Sequence, residues 1–271
     1  MNDDETTAPE PEEPLEPQAE PEPERPQAED AEAQMRRLSR RGFIWTGVSL
    51  AAAVGAYVGI DRSKMIDWEP GPLRKGLRFD ESVSEALRSP TALAPTFSPK
   101  DISPEARVNA HVGLPRVFDP ASWRLRFEAG SIRRELTLKD LQALPQAGLI
   151  TQLNCVEGWT QIFAWKGIWL RDLLHSLVPN PSQYGRYVAM ETQDQNYYVG
   201  LDLPSCLHPQ SMLAWQMNGA PLPWAHGQPL RLVMPIKYGY KQIKSVGLIR
   251  LTDKRPPDYW AELGYDWYGG F

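Results

Sequence analysis

Leu153-Asn154-Cys155-Val156-Glu157-Gly158-Trp159 places one cysteine immediately after an apolar-polar alternation that begins at Leu149. The alternation predicts a strand over Leu149–Asn154 that delivers Cys155 at its end. Downstream, His226-Gly227-Gln228-Pro229-Leu230-Arg231-Leu232-Val233-Met234-Pro235 leads into Lys237-Tyr238-Gly239-Tyr240-Lys241-Gln242-Ile243-Lys244. A thiolate is a soft ligand, but one cysteine does not make a metal site, so further ligands must come from a bound group. The second run supplies what an anionic group needs. An arginine inside a buried strand is costly without an anionic partner, and its fork matches a phosphate.

A chain of 271 residues with 42% hydrophobic content and 10 Trp suffices for a substantial core. The net charge of −5 is unevenly spread. Residues 1–34 hold thirteen acids against Arg25 alone, a charge of −12, which leaves the rest at +7. A mildly basic body suits an anionic ligand. Its Lys and Arg are dispersed and carry no nucleic-acid motif, so nucleic acid is not an expected partner. Cys155 and Cys206 form no metal-spacing motif, and Cys206 reads as a small buried hydrophobe.

Residues 1–34, with seven prolines, read as a disordered acidic tail. The composition then changes to Arg36-Arg37-Leu38-Ser39-Arg40-Arg41-Gly42-Phe43-Ile44, and from Gly42 to Ile60 nineteen residues carry no charge. Residues 35–62 therefore read as an export signal or a membrane anchor. At a rise of about 1.5 Å per residue, the uncharged stretch nearly crosses a hydrocarbon core of roughly 30 Å. Retained, it would leave the tail in the cytoplasm and the body outside.

Residues 63–108 read as an extended wrap, with at most a turn or two of helix near Asp80–Leu87. Strands are expected at Trp123–Glu128, Arg186–Glu191, Tyr197–Leu201, Leu213–Met217, Leu230–Met234 and Gly247–Leu251. Short helices are expected after Thr137 and at Trp169–Leu177. Strands with short helices between them, and no βαβ repeat, predict a single compact α+β domain with mixed β-sheets over 109–271.

Three motifs in order resemble the sulfite-oxidase-type molybdopterin family, closest to its periplasmic methionine-sulfoxide-reductase branch. Cys155-Val156-Glu157-Gly158-Trp159 is similar to that branch's Cys-Val-Glu-x-Trp. The Pro229-Leu230-Arg231 and Lys237–Lys244 runs resemble its cofactor-holding segments. Ser39-Arg40-Arg41 resembles a twin-arginine export signal, which implies passage through the twin-arginine export machinery. The resemblance implies a sulfite-oxidase-like molybdopterin-binding domain with a molybdenum-molybdopterin cofactor and Cys155 as the metal ligand. It implies cofactor contacts from Asn109, His111, Thr192, His226, Arg231, Gln242, Ile243 and Lys244, with Tyr240 and Glu157 beside Cys155 at the catalytic centre. It also implies two-electron oxygen-atom transfer and a haem-bearing electron partner on the periplasmic side of an inner membrane.

The departures narrow the substrate. Sulfite oxidases carry an arginine shortly after the cysteine, whereas this chain has Glu157, which repels sulfite. A neutral sulfoxide or other S- or N-oxide is the expected substrate. His226 stands where that branch has an asparagine. The competing readings are a sulfite-oxidase-like dehydrogenase, a hydrolase with Cys155 as nucleophile, and a non-catalytic accessory module. Trp159, Trp165 and Trp169 are candidates for the pocket mouth or for core.

Overall fold

Met212-Leu213-Ala214-Trp215 forms a strand with both faces buried, and its alternation separates two cores. Leu213 and Trp215 enter the larger hydrophobic cluster, while Met212 and Ala214 enter a smaller one that contains Cys155. The computed structural model describes residues 28–66, 69–87, 89, 91–108, 111–114, 119 and 121–270. Two compact units divide at residues 58 and 59.

In the first unit, helix α1 (Ala28–Asp61) begins within the stretch read as a disordered tail. That reading is corrected for residues 28–34; residues 1–27 lie outside the described residues. Ser39–Asp61 is long and apolar enough to cross a membrane.

The second unit opens with β1 (Met65–Ile66), β2 (Glu69–Pro70) and α2 (Gly71–Leu87). The reading of 63–108 as extended is thus corrected by a helix of 17 residues. The remainder does run as a strap over the sheet. Thr96 bridges Thr151, Phe97 N–H donates to the Ile150 carbonyl, and Ser103 N–H donates to the Ile162 carbonyl.

The main strands are β3 (Leu125–Ala129), β4 (Ile132–Leu136), β5 (Ala147–Asn154), β6 (Thr160–Trp169), β7 (Tyr187–Thr192) and β8 (Tyr198–Asp202). They continue with β9 (Met212–Met217), β10 (Ala220–Pro221), β11 (Arg231–Val233) and β12 (Val246–Thr252). One sheet has the order β10-β9-β6-β5, with β11 also on β9. The other has the order β4-β3-β12-β7-β8. In the latter, β12 is parallel to β3 and antiparallel to β7, so the sheet is mixed. The fold is α+β, as expected.

Between strands lie α3 (Leu138–Gln142), α4 (Leu170–Leu177), α5 (Leu203–Cys206) and α6 (Tyr259–Glu262). Thr137 caps α3 through a reciprocal capping box with Asp140. In α4, Leu170, Leu173 and Leu174 share the buried face. Leu125, Phe127, Val188, Met190, Ile249 and Leu251 bring the mixed sheet into the same large core. Cys206 is fully buried there, and neither cysteine is in a disulfide.

The longest strand, β6, was absent from the sequence reading. It pairs with β5 along its first eight residues and with β9 along its last five, so it carries the sheet that presents Cys155. Its register shifts between Lys166 and Gly167. A Cβ at Gly167 would stand 1.9 Å from the Leu213 carbonyl oxygen and 2.7 Å from Ala214 Cα. Both are backbone atoms, so no rotamer relieves the clash. Gly167→Ala is expected to destabilise the domain by at least about 2 kcal/mol, read as a lowered thermal midpoint.

Candidate active site

The β5–β6 hairpin places Cys155 at the first residue of its turn. Cys155 N–H donates to the Trp159 carbonyl at 2.9 Å, and Gly158 N–H donates to the Cys155 carbonyl at 3.1 Å. Gly158 takes the left-handed conformation that closes the turn, with φ of 84°. Trp159 Nε1 donates to Glu157 Oε2 at 2.8 Å, and the Arg107 guanidinium lies 5.0 Å from the Trp159 ring centroid. Burial pushes the Cys155 thiol up, with the Glu157 carboxylate adding to the shift. A bound cation would be needed to hold it as thiolate.

The two downstream motifs close on each other. Leu232 N–H donates to the Ile243 carbonyl at 2.9 Å, and Ser245 N–H donates to the Gly227 carbonyl at 3.2 Å. Gly227 is left-handed, and a Cβ there would lie 2.7 Å from Lys244 Cβ. The close approach brings His226, Arg231 and Lys244 into one basic cluster.

Arg231 is 1% exposed and lies over the Trp165 ring at 4.8 Å. Its Nη1 donates to the His226 carbonyl at 3.1 Å, while its Nε and Nη2 have no partner among the described residues. Desolvation pulls its pKa down to about 10. Burial, with Arg231 next, brings Lys244 down to about 7, although Lys244 Nζ donates to the Ala225 carbonyl at 2.9 Å. His226 falls to about 4 through burial and then repulsion from Arg231 and Lys244, so it is neutral at pH 7. Orphaned, buried N–H donors beside a second cation are the complement of a phosphate.

The three lysines of the basic run divide. All three are buried. Lys237 Nζ donates to Asp202 Oδ2 at 3.0 Å and to the Tyr268 carbonyl at 2.8 Å. Lys241 Nζ donates to Asp258 Oδ2 at 2.5 Å and to the Gly200 carbonyl at 2.6 Å. These two pin the C-terminal segment. Lys244 alone stands at the basic cluster.

One cavity joins the motifs. Cys155, Val156 and Glu157 line it from the hairpin, and Gly239, Tyr240, Gln242 and Lys244 from the basic run. Val112, Tyr197, Trp260 and Tyr265 complete it. Trp260 and Tyr265 belong to the segment that Lys241 and Lys237 hold down, which the sequence reading did not reach. Tyr240 Oη donates to the Asp266 carbonyl at 2.7 Å, and Tyr197 Oη donates to the Tyr240 carbonyl at 2.8 Å. Burial pushes both phenols well above their ordinary range, so they stay protonated.

The other expected residues lie as follows. Gln242 Nε2 donates to the Met234 and Lys237 carbonyls at 3.2 and 3.1 Å. The Ile243 side chain sits in the larger core, leaving only its backbone for a ligand. Thr192 Oγ1 donates to Asp194 Oδ1 at 2.6 Å and accepts from Tyr197 N–H at 3.2 Å, and so clamps its own turn. His111 is exposed and stacks on Trp224, with centroids 6.1 Å apart. Asn109 lies outside the described residues. Trp165 is core beneath Arg231 rather than pocket mouth.

The family described as oxidoreductase molybdopterin binding domain matches residues 111–260. The putative protein-methionine-sulfoxide reductase subunit YedZ1 of Azospira oryzae is 35% identical over 71% of this chain and 74% of its own. The protein-methionine-sulfoxide reductase catalytic subunit MsrP of Gluconobacter oxydans is 34% identical over 57% of this chain. The MsrP of Xanthomonas campestris is 35% identical over 52% of this chain. The chain spans about half of those two proteins, 54% and 47%. The sulfane dehydrogenase SoxCD of Paracoccus pantotrophus shares the fold, with TM-score 0.51, 22% identity, and coverage of 60% of this chain and 46% of that one. The chain belongs to the sulfite-oxidase-type molybdopterin-binding oxidoreductases, close to the MsrP branch, and is a molybdenum-dependent enzyme. The orphaned donors of Arg231 fit that cofactor's anionic part.

An unpaired buried cation weakens a fold, and a well-packed apolar isostere relieves it. Arg231→Met is therefore expected to raise the thermal midpoint of cofactor-free protein while abolishing pterin retention. Melting curves and pterin fluorescence of protein from cofactor-deficient and cofactor-competent hosts check both. A second expectation concerns pH. The folded pKa of His226, about 4, lies below the unfolded value of 6.5. Its contribution to stability is therefore complete above pH 6.5 and is lost as pH falls toward 4. Cofactor-free His226→Asn should lose less stability than wild type across that window, by up to about 3 kcal/mol, in denaturant titrations.

Proposed function

We propose that this chain reduces a sulfoxide, with methionine sulfoxide in a polypeptide as the substrate class, at a molybdenum ligated by Cys155. The observation that carries the reading is the wall composition of the Cys155 cavity. Val112, Val156, Tyr197, Tyr240, Trp260 and Tyr265 suit a neutral, apolar side chain, and Glu157 stands where an anion receptor would need an arginine. The relatives named as methionine-sulfoxide reductases support the same assignment. When bound, the cofactor supplies a metal that takes one oxygen atom while giving two electrons. Two protons and two electrons then complete the balance, with water and the thioether as products.

The chain's own residues hold and shield. Arg231 and Lys244 meet the anionic part of the cofactor, and neutral His226 and the Gln242 amide offer hydrogen bonds beside it. Glu157 keeps anions from Cys155, and the protonated Tyr240 and Tyr197 hold the aromatic wall that excludes water. Against a thiol nucleophile stand the raised Cys155 pKa and the lack of a histidine bonded to it among the described residues. The electrons come from an external partner, a haem protein of the membrane or periplasm, and the folded unit lies on the periplasmic side after export through the twin-arginine machinery.

Purified wild type should carry stoichiometric molybdenum and pterin and reduce methionine sulfoxide with a reduced dye as donor. Cys155→Ser should lose more than ~100-fold of that rate, beyond the 10–100-fold typical of an outer metal partner. Sulfite oxidation faster than sulfoxide reduction, or full activity in the serine variant, would overturn the assignment.

A further inference from the structure

Helix α2 is amphipathic in an inverted sense. Two of its charged side chains face the domain: Arg74 is 4% exposed and Glu81 is 8% exposed. Arg74 Nη2 donates to the Ala261 carbonyl at 2.7 Å and its Nε to the Ile66 carbonyl at 3.3 Å. Arg255 Nη2 donates to Glu81 Oε2 at 2.6 Å. These bonds fix the rotation of the helix about its axis. What they turn outward is apolar. Leu73 is 47% exposed, Phe79 is 67%, Val83 is 39% and Leu87 is 81%, with Met65 at 54% just upstream. Pro72, Gly76, Phe79, Val83 and Leu87 recur in steps of three and four, so they form one stripe. Exposed Lys75 and Arg78 lie to one side of the stripe and Asp80 at its other margin.

The covalent chain names the occupant. Only nine residues, 62–70, separate the apolar segment Ser39–Asp61 from α2. Fully extended they reach at most about 30 Å. A helix tethered that closely to a membrane span meets a lipid surface at high effective concentration. A stripe of leucine, phenylalanine and valine on a helix of low overall hydrophobicity is the pattern of a helix that lies in the interface plane.

We propose that α2 lies flat in the bilayer interface, with Phe79, Val83 and Leu87 in the lipid, and holds the catalytic unit in a fixed attitude at the membrane surface. The proposal rests on Ser39–Asp61 being retained as a span, and it is independent of the substrate reading. A mobile tether would leave the unit free to tumble, whereas a second membrane contact fixes the face it presents to a membrane-bound electron donor.

The test uses the full chain, with cofactor, in phosphatidylethanolamine–phosphatidylglycerol vesicles. Nitroxide labels are placed singly at Val54→Cys, Phe79→Cys, Val83→Cys and Lys139→Cys. Labelled wild type gives the background from buried Cys155 and Cys206. Labels at 79 and 83 should lose collisions with a water-soluble nickel chelate and gain collisions with oxygen relative to 139. That pattern marks a depth of about 5–10 Å in the interface. A label at 54 shielded from nickel together with wet labels at 79 and 83 overturns the proposal alone. Labels at 79 and 83 shielded from both reagents mean that protein covers the stripe, and this too overturns it. A wet label at 54 overturns the retained span and the proposal with it.

Discussion

The guanidinium of Arg231 lies fully desolvated on the face of Trp165 with two of its nitrogens unpaired among the described residues, and the site is organised around that deficit. Burying a cation in this way is costly, and beside it Lys244 and His226 are depressed by burial first and by Arg231 second. Selection for stability alone would remove such a cluster, and its unpaired donors fit an anion such as the phosphate of the proposed cofactor site. Burial, reinforced by Arg231 and Lys244, keeps His226 neutral. A protonated imidazole beside two cations would add to the repulsion rather than relieve it.

Around that cluster, one basic run has two jobs, separated by what each lysine meets. Lys237 and Lys241 reach Asp202 and Asp258 and are consumed as internal clamps. By fastening the C-terminal segment they bring Trp260 and Tyr265 to the wall of the Cys155 cavity. Lys244 instead donates to the Ala225 carbonyl and lines the Cys155 cavity, where burial and then Arg231 bring its pKa down to about 7. The motif therefore builds the wall of the chamber as well as part of its floor, and both depend on buried ionic groups whose geometry must be satisfied together.

Much of this was legible in advance where a residue's chemistry is decided locally. The strand into Cys155, the Thr137 cap, the short helix after Trp169 and the strands around Tyr187, Tyr198 and Val246 all follow from alternation and turn residues. Three features were not legible, each for a physical reason. Strand β6 draws its stability from pairing on both edges, with β5 and β9, and its own pattern is interrupted by the shift at Gly167. The Thr192 hydroxyl closes its own turn with Asp194 and Tyr197, a contact that a motif match does not encode. Helix α2 was read as an extended segment, and its rotation depends on Arg74 and Glu81, which find partners distant in sequence.

By itself the sequence determined the α+β class and the family, and it marked Cys155, Arg231 and Lys244 as candidates for the site. Those are matters of residue type and short-range order, and short-range order is carried by the chain. Only the tertiary structure decided which charges remain available to a ligand, that the C-terminal segment supplies half of the aromatic wall, and which way α2 turns its apolar stripe. Each of these depends on desolvation and on partners distant in sequence, such as Arg74 with Ala261 and Lys237 with Asp202. A side chain's charge is written in the chain, but what that charge costs or does is set by what folding places beside it.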